Sequence, residues 1–230
     1  MVANALKARP VNANTKPYKG MGMEGSLAKW YAKSTGNLMK DFQADARRVA
    51  ALLTPGASVL EVAPGPGYFA IELAKLGDYS VTGLDISHTF VEIAQKNAAE
   101  AGVRVEFRHG SASDMPFDGA QFDFIFCRAA FKNFSEPVRA LQEMQRVLKP
   151  GGRALIVDLR HDASPKEIDQ AVSQMRLGIF SRIFTRLTFR FMLLKRAYTK
   201  QSFEQLLAQT KFRSTRIDEA SIGMDIWLEK

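Results

Sequence analysis

Val59-Leu60-Glu61-Val62-Ala63-Pro64-Gly65-Pro66-Gly67 is the stretch whose reading decides the fold: a short apolar run carrying an acid passes straight into a glycine-rich turn. Eighteen residues beyond Gly67, a second apolar run, Val81 to Leu84, ends in Asp85. A strand, a Gly turn, a helix and a second strand ending in an acid make a nucleoside-binding βαβ unit, with the acid placed to take ribose hydroxyls.

Gly65-x-Gly67-x-x-Ala70 also fits a dinucleotide fingerprint. That site works by offering backbone N–H groups and a helix N-terminus to a pyrophosphate. Pro64 and Pro66 carry no N–H, and Glu61 sets a negative charge at the strand mouth where phosphates would lie. A ligand without phosphates and with cationic groups suits the loop better. S-adenosylmethionine, with its α-ammonium and sulfonium, is such a ligand.

Outward from this unit, strands and helices alternate. Strands are predicted at 58–63, 79–84, 103–108, 122–127 and 153–159, with helices at 67–76, 88–101 and about 136–148. Two helices, about 26–32 and 38–53, precede the first strand; a helix over 200–209 and strands at about 212–218 and 223–229 close the pattern. The alternation predicts an α/β fold: a Rossmann-like, doubly wound, seven-stranded, mostly parallel sheet with a terminal antiparallel strand. Ligands in such a sheet collect at the carboxyl ends of the strands. Leu177, Phe180, Phe184, Leu187, Phe191 and Leu194 recur at helical spacing while Arg182, Arg186 and Arg190 step by four along another face. This marks residues 176–198 as an inserted helical lid. Residues 1–25 read as an N-terminal arm and 26–230 as one domain.

Composition narrows the classes. At 230 residues and 46% hydrophobic content the chain buries one sizeable core. No apolar run reaches transmembrane length and no secretory signal stands at the N-terminus, so a cytoplasmic protein is expected. The single cysteine, Cys127, excludes an intrachain disulfide and a cysteine-rich metal site, and no metal is expected. The net charge of +8 is uneven: residues 1–23 and 170–203 hold eleven basic residues and no acid, leaving the body slightly acidic. That balance does not suit a main face gripping nucleic acid.

Residues 57–159 resemble the class I S-adenosylmethionine-dependent methyltransferases. Within them, Met115-Pro116-Phe117, Phe122-Asp123, Lys132-Asn133 and Glu143-Met-Gln-Arg-Val-Leu-Lys-Pro-Gly-Gly152 are similar to the ubiquinone/menaquinone-biosynthesis-type enzymes. The resemblance implies that Glu61, Ala63, Gly65 and Gly67 line the methionine end of S-adenosyl-L-methionine and that Asp85 takes both ribose hydroxyls, with Ile86 on the adenine. It further implies an adenine contact at Ser111 and Ala112, where the family commonly has an acid in place of Ser111, and a backbone carbonyl from Cys127 to the ammonium. Ala63 stands where the family usually has its first glycine. Met23-Glu24-Gly25 and Trp30-Tyr31-Ala32-Lys33 resemble the N-terminal cap, in which Tyr31 is placed to reach the sulfonium region or else simply packs.

Methyl transfer is an in-line displacement, so positioning and exclusion of water supply most of the rate. An acceptor that must lose a proton needs a base within hydrogen-bond reach. His161, past the fifth strand, is the first candidate, with Arg128, Lys132, Arg160 and Tyr198 to orient an acidic or quinol acceptor or else to make structural salt bridges. The expected activity is transfer of a methyl group to a small, aromatic or apolar acceptor, with O, C or N left open. The Cys127-Arg128-Ala129-Ala130-Phe131 string lacks the Asn/Asp-Pro-Pro-aromatic pattern of enzymes acting on nucleobase amines. Three other readings stay open: a non-catalytic S-adenosylmethionine-binding regulator, an RNA methyltransferase and an NAD-dependent oxidoreductase. Residues 176–198 fit a lid, a peripheral membrane helix or a dimer seam, and the chain is read as a monomer or a homodimer.

Overall fold

The computed structural model describes residues 18–19, 22–174 and 194–230. The parallel core is built from β1 (Ser58–Val62), β2 (Ser80–Asp85), β3 (Glu106–His109), β4 (Phe122–Arg128) and β5 (Leu148–Leu159). β6 (Ser214–Ala220) and β7 (Gly223–Glu229) form a hairpin that completes a seven-stranded sheet of order β3-β2-β1-β4-β5-β7-β6. β7 runs antiparallel to both neighbours, as the sequence predicts for a terminal strand, but it lies inside the sheet and β6 takes the edge. The chain turns back between β1 and β4, which makes their carboxyl ends the switch point where such sheets bind ligands.

Burial explains the strand sequences. Val59, Leu60, Val62, Phe124, Ile125, Phe126 and Leu155 are inaccessible because helices cover both faces, so these strands read as continuous apolar runs. β7 instead alternates, with Met224, Ile226 and Leu228 buried in the cluster that holds Leu141 and Phe203. The helices are α1 (Gly25–Thr35), α2 (Met39–Ala50), α3 (Tyr68–Ala74), α4 (His88–Glu100), α5 (Pro137–Val147), α6 (Pro165–Gln174) and α7 (Lys200–Leu207). Side-chain oxygens start two of them cleanly: Ser87 Oγ accepts from the Phe90 N–H at 3.0 Å, and Thr199 with Ser202 forms a capping box on α7.

Three local departures from the sequence reading have physical causes. Lys149-Pro150-Gly151-Gly152, expected as a turn before the fifth strand, is a bend inside β5, and the β4 register slips there from Phe122↔Leu148 to Phe124↔Arg153. A Cβ on Gly152 would lie 2.9 Å from the Lys149 carbonyl oxygen, so the bend needs glycine. α6 was not expected because only Ile168 and Val172 repeat at i,i+4, enough for a small cluster with Leu194 but not for a periodic signal. The expected arm and body also join earlier than residue 26. Tyr18 bridges Phe134, Met23 O accepts from Ser87 Oγ at 2.6 Å, and Glu24 accepts from the His88 and Thr89 N–H groups at 3.0 and 3.1 Å. Residues 1–17 of the arm and 176–193 of the expected lid lie outside the described residues. Leu194–Arg196 form a 3-10 turn.

Gly67 shows how tightly the glycine turn is seated. Its φ is +79°, and a Cβ there would meet Phe107 Cζ at 2.7 Å and Ala94 Cβ at 2.9 Å. Gly67→Ala therefore combines left-handed strain with overpacking, and a loss of about 2–4 kcal/mol is expected in urea denaturation. Adding Phe107→Leu should recover part of that loss, because it clears the nearest obstruction.

Candidate functional site

Between β1 and α3 the chain uses its own hydrogen-bond donors. The Ala63 N–H donates to Leu84 O at 2.8 Å, Gly65 N–H to Asp85 Oδ2 at 2.9 Å, and Gly67 N–H to Pro64 O at 3.0 Å. The Ala70 N–H, in the first turn of α3, donates to Glu61 Oε2 at 3.0 Å. Pro64 and Pro66 have no donor, so residues 63–67 keep no N–H for a pyrophosphate. Space is left instead at Gly65, whose missing Cβ has no atom within 4 Å. Ala63, one residue past β1, sits at φ +58°, a conformation that favours glycine. Ala129, one residue past β4, sits at φ +55°, so both strand ends at the switch point turn through the left-handed region.

Two acids stand under this loop. Asp85, 5% exposed, also takes the Ser87 N–H on Oδ1 at 2.9 Å. Burial raises its pKa, and the bonds from Ser87 and Gly65 oppose that rise. Each carboxylate oxygen still has acceptor capacity for one more donor, which is what a pair of ribose hydroxyls requires. Glu61, 3% exposed, is pushed up to about 8 by burial, against the pull of the Ala70 bond. A cationic group beside Glu61 would favour its ionised form, so the pair fits a ligand with a diol and a positive charge.

The remaining residues implied for the cofactor follow β2 and β3, stand near the end of β4 or lie on α1. Ile86 follows β2, and its carbonyl lies 3.0 Å from His109 Nε2, whose ring stacks on His88 at 3.6 Å. Ser111 Oγ accepts from the Ser113 N–H at 3.2 Å and Ser111 O from the Asp114 N–H at 3.1 Å, so both oxygens help to form a tight turn. Ala112 is partly buried against the core. Cys127 is fully buried near the end of β4 and burial raises its thiol well above the ordinary range, the behaviour of a small hydrophobe. Tyr31 stands edge-on to Phe90 at 5.8 Å, and desolvation raises its phenol while Arg128 opposes the rise.

Three of the residues expected to handle the acceptor do not converge. Arg128 ion-pairs with Asp45, lies 4.0 Å from Asp41 and covers the Phe42 ring at 5.5 Å, which ties it to α2. His161 and Tyr198 do meet: the His161 N–H donates to Tyr198 O at 3.0 Å, and His161 Nδ1 lies 2.7 Å from Leu194 O. The Tyr198 hydroxyl accepts from Lys19 Nζ at 3.1 Å, and its ring packs on Phe131 and Phe203. One acid, Asp158, went unread in the sequence. Asp158 and Lys132 form a buried pair at 2.8 Å, and Asp158 also takes the Lys132 and Leu159 N–H groups at 2.9 and 2.8 Å. Its signal was an acid closing the apolar run Leu155-Ile156-Val157, the same pattern that exposed Asp85. Glu24, expected as part of the N-terminal cap, reaches across 64 positions to accept from the His88 N–H.

Residues 60–156 match the family model described as a methyltransferase domain. That segment of the chain is similar to a methyltransferase domain. A demethylmenaquinone methyltransferase of Deinococcus radiodurans is 33% identical over 136 residues, 59% of this chain and 51% of that protein. The chain thus spans about half the length of this curated relative. Among solved structures, an S-adenosyl-L-methionine-dependent methyltransferase of Methanococcus maripaludis aligns at TM-score 0.72 and 23% identity, covering 92% of this chain and 95% of that one. A plantazolicin methyltransferase in complex with SAH aligns at TM-score 0.64 and 16% identity, covering 88% of each chain. These likenesses establish the fold of the methyltransferase domain.

The buried Glu61 makes a pH prediction for the ligand-free domain. Its carboxyl ionises near 4.5 when unfolded but near 8 when folded. The folded state therefore holds the extra proton between those values, and stability falls as pH rises through that window. Glu61→Gln keeps an acceptor for the Ala70 N–H and removes the titration. Denaturation midpoints should show the variant gaining on the wild type from pH 5 to pH 8, by on the order of 2–4 kcal/mol at the upper end.

Proposed function

We propose that the chain moves a methyl group from S-adenosyl-L-methionine to a small, aromatic or apolar acceptor. The observation that carries this reading is the glycine turn, with every N–H from 63 to 67 engaged internally above two buried acids. Such a loop offers nothing to a pyrophosphate and a great deal to a diol and a cation. Asp85 would hold the two ribose hydroxyls, Glu61 would face the cationic end, and Ile86, Ser111 and Ala112 would border the adenine. Ala63, Gly65 and Gly67 would admit the methionine end, with the Cys127 carbonyl toward its ammonium and Tyr31 above it. The cofactor supplies an electrophilic methyl group. The protein's task is to align the acceptor in line with it and to keep water away.

His161 is the residue suited to take an acceptor proton. With Nδ1–H donating to Leu194 O, Nε2 keeps the lone pair a base needs. Tyr198, joined to His161 through the backbone and to Lys19 through its hydroxyl, would orient the acceptor. Arg128, held by Asp45, acts on the site by fixing the end of β4 against α2. A quinol-type acceptor is favoured by the relatives, since the Deinococcus protein bears the name demethylmenaquinone methyltransferase.

Asp85→Ala should weaken S-adenosylmethionine binding about 100-fold or more by calorimetry, because two hydroxyls lose an ionised acceptor and the effects are not additive. Near-normal affinity would place the ribose elsewhere. Transfer of labelled methyl into a total metabolite extract, partitioned between organic solvent and water, tests the acceptor. Label in the organic phase supports an apolar acceptor, label confined to water excludes it, and cofactor binding with no transfer would make the chain a binding protein.

A further inference from the structure

Four large hydrophobic side chains are exposed among the described residues, and three of them fall between positions 30 and 38: Trp30 at 64%, Tyr31 at 37% and Leu38 at 43%. Around them stand Lys29, Lys33 and Lys40, all exposed, and no acidic residue occurs from Gly25 to Lys40. None of the three lysines is in an ion pair among the described residues. The pattern follows the helix period. Ala28 and Ala32 are buried against the body, and the opposite face of α1 presents Lys29, Trp30 and Lys33 side by side.

An outward tryptophan flanked only by cations is costly to leave in water and well matched to one environment. Indole settles at the level of lipid headgroups, where its apolar body is covered and its N–H stays wet. Lysines beside it gain from anionic headgroups. We propose that the outer face of α1, with Trp30 as anchor and Lys29, Lys33 and Lys40 as its basic rim, docks on an anionic lipid surface. α1 is also the element that borders the candidate cleft: Tyr31 meets Phe90, the Tyr68 hydroxyl donates to Ala32 O at 2.9 Å, and the Gly25 N–H donates to Thr89 Oγ1 at 3.0 Å. Docking through it brings the cleft to the membrane. The surface is read from α1 alone and does not depend on the acceptor proposed above.

The test is co-sedimentation of the full chain with phosphatidylglycerol and phosphatidylcholine vesicles, combined with tryptophan quenching by brominated acyl chains. The chain has two tryptophans, and Trp227 is packed between Arg48 and Arg216 at 5.0 and 5.8 Å, so quenching reports on Trp30. Binding to the anionic vesicles with quenching is expected, falling with salt, and phosphatidylcholine should bind little. Trp30→Ala should abolish the quenching while the thermal midpoint stays with the wild type. Reversing Lys29, Lys33 and Lys40 to Glu should lower partitioning by about 100-fold or more, at roughly fivefold per lysine removed. Absence of binding at low salt overturns the proposal, as does binding without quenching, which would locate the contact on another part of the chain. Equal binding to both lipids overturns the basic rim.

Discussion

The site rests on two carboxylates held out of water beneath the glycine turn, each tied to a backbone N–H of the segment it supports. Glu61 takes the Ala70 donor at the start of α3, and Asp85 takes Gly65 in the turn and Ser87 beyond β2. These bonds settle where the helix begins, how the turn is shaped and which of its groups remain available. A loop that binds pyrophosphate leaves its donors free. This one has closed its donors onto its own carbonyls and onto Asp85, and burial leaves both acids short of positive charge.

A third buried acid shows the contrast across the switch point. Asp158, near the end of β5, also closes an apolar run, but it has its own cation in Lys132, at 2.8 Å and equally buried. Removing one member of such a pair leaves an uncompensated charge inside the protein, whereas the pair itself contributes little net stability. Its structural effect is local. Lys132 Nζ also donates to Ala129 O, the residue that turns through the left-handed region at the end of β4. Of the three buried acids, Asp158 is therefore neutralised by a cation of its own, whereas Glu61 and Asp85 are held by backbone N–H groups.

How much of this was legible depended on distance along the chain. The βαβ unit could be read because its parts lie within 27 residues, and apolar runs ending in acids mark Glu61 and Asp85 directly. The doubly wound, mostly parallel sheet followed from alternation, and all seven strands fell close to their predicted places. Arg128 misled, since its partners Asp41 and Asp45 lie more than 80 residues earlier and nothing nearby shows that its charge is matched. Lys149 to Gly152 misled through strong local chemistry: Pro-Gly-Gly signals a turn, but the long ladder from β5 to β7 carries the strand through the bend.

The interior place of β7 constrains how the sheet can be assembled. Of the seven strands it is the last in sequence, yet it lies between β5 and β6, and β6 pairs only with it. Until β7 arrives, neither hairpin strand can join, and β5 stands as a temporary edge. That edge is twelve residues long, with Ala154, Leu155 and Ile156 at its centre. An unpaired apolar strand of this kind is a template for wrong partners. A form of the sheet in which the hairpin has not docked would therefore expose this edge to wrong pairing.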